Sequence, residues 1–78
     1  MGENNEDVAS ALYHLGYSYK SIGDFKKAIE LYERALSTWL KLVGEDHEEV
    51  VNTLNQLGLT FIQTQLKYGH QLKDYSSN

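Results

Sequence analysis

Residues 12–40, LYHLGYSYKSIGDFKKAIELYERALSTWL, carry two helical patterns that meet at Gly23-Asp24. In the first, Leu12, Leu15, Gly16 and Tyr19 fall at i, i+3, i+4 and i+7. In the second, Ala28, Tyr32 and Ala35 follow at i, i+4 and i+7, opened by Phe25 and carried on by Trp39. Apolar residues at such spacing make a stripe along one side of a helix. Gly16 and Ala28 lack the bulk to hold two backbones apart, so the two helices are expected to pack closely and antiparallel. Lys26, Glu30 and Arg34 stand four residues apart on the opposite side of the second pattern, a solvated face.

Working outward, the chain repeats itself at an offset of 42 residues. Gly2-Glu3-Asn4-Asn5-Glu6-Asp7-Val8 lies over Gly44-Glu45-Asp46-His47-Glu48-Glu49-Val50, then Leu12 over Leu54, Leu15-Gly16 over Leu57-Gly58, and Tyr19 over Phe61. Asn4 and Asp46 are expected to cap the helices they precede, with Asp7 and Glu49 three residues on, as in a capping box. Helix one is predicted from about Glu6 to Ile22, ended by Gly23. Asp24 caps a second helix reaching Val43, which Gly44 ends, and a third opens near Glu48. Beyond Phe61 the match fails: where the repeat calls for Gly-Asp-Phe-Lys-Lys-Ala, the chain reads Gln65-Leu66-Lys67-Tyr68-Gly69-His70. Helix three either ends near Lys67 with a loose tail or runs on without a turn. Gly69 costs a helix interior only about 1 kcal/mol and permits the second outcome. Ser76-Ser77-Asn78 is expected to fray.

Composition narrows the functional classes. Seventy-eight residues make a single small domain, with no cysteine for disulfides or zinc and no proline to interrupt helices. A net charge of −4 speaks against a nucleic-acid surface, and no apolar run reaches the roughly 20 residues of a membrane span. A cytoplasmic location is expected. His14, His47 and His70 show no metal-ligand spacing, and the acidic group Glu45, Asp46, Glu48 and Glu49 lacks a calcium loop and serves capping instead. Nothing resembles a nucleophile elbow, a phosphate loop or a dinucleotide fingerprint. The chain reads as a non-enzyme without cofactor or metal.

Leu12, Leu15-Gly16, Tyr19, Ala28, Tyr32 and Ala35 resemble the tetratricopeptide repeat (TPR), although Trp39-Leu40 stands where that family usually has proline. The period exceeds the common unit of about 34 residues. It is similar to the longer repeats of kinesin light chains, whose joining motif matches Val43-Gly44-Glu45-Asp46-His47-Glu48-Glu49-Val50, with Glu48 in place of proline. The resemblance implies an all-α fold of about one and a half repeats of a solenoid: an antiparallel hairpin with a third helix stacked on it. Repeat one would cover residues 2–43, an incomplete repeat two 44–67, and a tail 68–78, the whole being a piece of a longer array. The expected core is Leu12, Leu15, Tyr19, Ala28, Tyr32, Ala35, Leu36, Leu54, Leu57 and Phe61. Trp39, Leu40, Leu42, Val43, Leu59 and Ile62 would lie exposed at the ends.

In that family the first helix of each repeat lines a concave groove for peptides. Carried over by position, Ser10, Tyr13, His14, Tyr17 and Lys20 face it from repeat one, and Asn52, Asn55, Gln56, Leu59 and Ile62 from repeat two. Asparagine at 55 could hold a peptide backbone through donor and acceptor together, while Tyr13 and Tyr17 either offer flat binding area or cover a neighbouring helix. The implied function is a scaffold for a protein or peptide partner. The alternative is a self-assembly element, a homodimer that completes the truncated second repeat by helix exchange or two-fold packing.

Overall fold

A computed structural model describes residues 5–76, with side chains described through residue 68. Three helices follow in order: α1 (Glu6–Ser21), α2 (Phe25–Val43) and α3 (Glu48–Ser76). The starts of α1 and α3 keep the 42-residue offset of the sequence repeat. Asn5 rather than Asn4 caps α1, its side chain accepting the Val8 N–H at 2.9 Å; Asn4 lies outside the described residues. At the other end of α1, Gly23 at φ 88° closes a Schellman turn, its N–H reaching Lys20 O at 3.0 Å and that of Asp24 reaching Tyr19 O at 2.9 Å. Asp24 then caps α2 through Lys27 N–H at 3.2 Å. Gly44, at φ 85°, ends that helix.

The capping expectation at α3 is corrected. His47, not Asp46, occupies the cap: its carbonyl accepts the N–H groups of Val50 and Val51 at 3.0 and 3.2 Å, and its Nδ1 accepts that of Glu49 at 3.1 Å. The imidazole also stacks on the Trp39 indole, 6.1 Å between centroids and 9° between planes. That lid is one reason Trp39 is 6 % exposed rather than lying open at the end of α2. Its Nε1–H is buried without a partner among the described residues. Leu40, Leu42, Leu59 and Ile62 are exposed as expected.

α2 is the central element, covered by α1 on one side and by the first half of α3 on the other. Ala9, Leu12, Leu31, Ala35, Trp39 and Val50 form one buried cluster, and Ala28, Tyr32 and Leu57 a second, with Tyr13, Tyr19 and Leu36 bridging them. Gly16 carries the close approach: a Cβ there would stand 3.0 Å from the Tyr32 ring.

Three residues of the expected core are not in it: Leu15, Leu54 and Phe61 are each about half exposed. α3 turns Val50, Thr53, Leu57 and Thr60 towards α2 instead, Thr53 and Thr60 being almost completely buried. Their hydroxyls donate to the carbonyls of Glu49 and Gln56 in the preceding turn, at 2.8 and 2.6 Å, and so enter an apolar interface satisfied. Leu54 and Phe61, the counterparts of Leu12 and Tyr19, are covered by no described segment. α3 does not turn back. It continues through Gly69 to Ser76, 29 residues or about 43 Å at 1.5 Å per residue. Lys67 steadies its middle by donating to Gly23 O at 3.4 Å, with its ammonium 5.4 Å from the Phe25 ring centre.

Candidate functional site

α1 and α3 flank α2, and among the described residues a side-chain hydrogen bond joins them. Lys20 Nζ donates to Gln56 Oε1 at 2.8 Å, and the Tyr32 hydroxyl reaches the same oxygen at 3.5 Å. The sequence reading held Tyr32 to be core only; a polar tip on a buried ring is the signal that could have suggested a partner. Burial pushes the Tyr32 phenol up to about 12, and the neighbouring Tyr13 and Tyr17 add to the shift. The phenol therefore stays protonated and can donate.

Around this bridge the expected groove residues separate into two groups. Tyr13 is part of the packing, edge-on to Tyr32 at 5.5 Å and to His14 at 5.8 Å. Ser10 and His14 are tied to each other: His14 Nδ1–H donates to Ser10 O at 2.8 Å, with Ser10 Oγ 3.4 Å away. Tyr17 is 51 % exposed, with the Lys20 ammonium 5.3 Å from its ring centre. Asn52, Asn55 and Leu59 are exposed along α3. The result is an exposed, largely uncharged surface with one lysine, able to offer amide hydrogen bonds and an aromatic face. Among the described residues no three His, Asp or Glu side chains converge as a metal site would require. No described helix is long and apolar enough to cross a membrane.

A concavity of about 350 Å³ lies between α2 and the start of α3. Leu36, Leu40, Val50 and Leu54 line it, and Glu45 and Asp46 stand at its rim.

The Tetratricopeptide repeat family model matches residues 7–67. With that match and the helical hairpin described above, the chain belongs to the tetratricopeptide repeat family. It is also similar to a Clustered mitochondria protein homolog of Candida albicans, 27% identical over 62 residues. That match covers 80% of this chain and 4% of the relative, so the chain spans a small part of that protein's length. No solved structure matches the chain.

Proposed function

We propose that the chain is a non-catalytic scaffold that holds a protein or peptide segment along the side shared by α1 and α3. The observation carrying this reading is the row of exposed Tyr17, Asn52, Asn55 and Leu59 around the Lys20–Gln56 bridge. Among the described residues no side-chain hydrogen bond occupies either asparagine, so each keeps donor and acceptor for a peptide backbone. Ser10, Tyr13, His14, Lys20 and Gln56 shape the walls. The partner is a protein rather than a nucleic acid, in keeping with the net charge of −4. A kinesin-light-chain-like subtype and a cytoplasmic place of action belong to the same proposal, as does the division into repeat one at 2–43, incomplete repeat two at 44–67 and a terminal segment at 68–78.

Panning a random peptide library against the chain tests it. Selected peptides are expected to lose at least about tenfold in affinity for Tyr17→Ala and for Asn55→Ala, with helicity unchanged. Peptides indifferent to both substitutions would remove the groove reading, and a large loss of helicity in Tyr17→Ala would assign that ring to the core.

Self-assembly is a second reading, favoured by the unbroken course of α3 through Gly69. A straight helix cannot fold back to cover its own exposed side, which leaves that side to another chain.

A further inference from the structure

The uncovered side of α3 has a definite pattern. Val51, Leu54, Gly58, Phe61, Gln65 and Tyr68 succeed one another at alternating steps of three and four, the spacing of the seam of a two-stranded coiled coil. All six are exposed; Val51, Leu54, Phe61 and Tyr68 are each about half exposed. Between Glu49 and Lys67 the helix carries no charged residue on any side. The outer face of α2, by contrast, has Lys26, Glu30 and Arg34. A second helix could therefore lie along α3 without meeting a like charge. The seam from 51 to 68 is about 26 Å long at 1.5 Å per residue.

The repeat itself says what such a helix must present. In the α1–α2 hairpin, Gly16 receives an aromatic ring, with Tyr32 carbons 3.0–3.3 Å from where a Cβ would be. Its counterpart Gly58 has nothing within 4 Å. The missing element is an antiparallel helix with an aromatic residue opposite Gly58, and α3 has that aromatic residue one step along its own seam.

We propose that the occupant is α3 of a second copy, packed antiparallel across a two-fold axis, with Phe61 of each chain over Gly58 of the other. This register follows from one contact and fixes the rest: Leu54 opposes Gln65 of the second copy, and Val51 opposes its Tyr68. The contact is self-complementary, as a two-fold interface requires. It continues the α2–α3 interface directly, since Leu54 belongs both to the seam and to the cleft formed with Leu36, Leu40 and Val50. Tyr68 of the second copy arrives beside that cleft. The proposal rests on the self-assembly reading and leaves the α1–α3 groove free.

Light scattering behind a sizing column, over micromolar to millimolar concentrations, reads the mass. The expected value is twice the 8.9 kDa chain. A monomer throughout overturns both the self-assembly reading and this inference. Gly58→Leu and Phe61→Glu alter exposed positions with room around them, so helicity is expected to persist while dimerisation weakens by on the order of a hundredfold. A dimer unmoved by both overturns the inference. Register is read by cross-linking, because the chain has no cysteine of its own. The double variant Leu54→Cys/Gln65→Cys is expected to oxidise to a covalent dimer and each single variant to stay uncrosslinked. A dimer that forms without this cross-link leaves self-assembly standing and overturns the α3 register.

Discussion

At the scale of the residue, the hairpin turns on one contact, Gly16 against Tyr32. A methyl group at position 16 would stand 3.0 Å from two ring carbons, a tight contact that requires the ring to shift, and the ring is wholly buried. Gly16→Ala is therefore expected to destabilise the chain by about 1–3 kcal/mol, measured by urea unfolding followed by circular dichroism. An unchanged midpoint would show that the ring has room to retreat. The same ring makes stability depend on alkaline pH. Its phenol ionises near 10 when exposed and near 12 in the folded chain, so the unfolded state loses its proton first. The contribution is fully present below pH 10 and is lost as pH rises towards 12, amounting to at most about 2–3 kcal/mol. Tyr32→Phe removes this titration but keeps the ring. Its stability is expected to fall less between pH 10 and 12 than that of the parent, and parallel curves would place the alkaline sensitivity elsewhere.

At the scale of the element, α3 shows how far a pattern of residue types can be read. Its position and start were legible from the repeat, and so was the burial of Leu57. The side it turns to α2 was not, because Leu54 and Phe61 outrank Thr53 and Thr60 on any hydrophobicity scale. Threonine can take the interface because its hydroxyl bonds to a carbonyl in its own helix, and its methyl then packs as an apolar group. Thr60→Val should accordingly be nearly neutral, within about 1 kcal/mol of the parent, since Gln56 O keeps its main-chain partner. Leu57→Ala on the same side should lose about 2–5 kcal/mol. If thermal melts rank these two in the opposite order, the Thr60 hydroxyl does more than satisfy itself.

At the scale of the whole molecule, a chain 54 Å long and 14 Å thin keeps both described buried clusters in the hairpin and the first half of α3. Among the described residues neither cluster includes a side chain beyond Leu57. Ending the chain after Tyr68 is therefore expected to preserve a cooperative melt with its midpoint shifted by no more than a few degrees. A non-cooperative melt would mean that residues 69–78 support the core. Solenoid units bury their faces against neighbours. Here both ends remain open: Leu15 on α1 is half exposed, as are Leu54 and Phe61 on α3.

The sequence by itself determined the three helices, the antiparallel hairpin, the repeat and the family, because helix periodicity, capping residues and turn glycines act over a few neighbours in the chain. Only the tertiary structure decided which face of α3 is buried, that His47 rather than Asp46 caps it and covers Trp39, and that Tyr13 belongs to packing while Tyr17 stays free. Those outcomes depend on which helix is present to pack against. The same letters that are core at Leu12 and Gly16 are surface at Leu54 and Gly58, because no described helix packs against that side of α3.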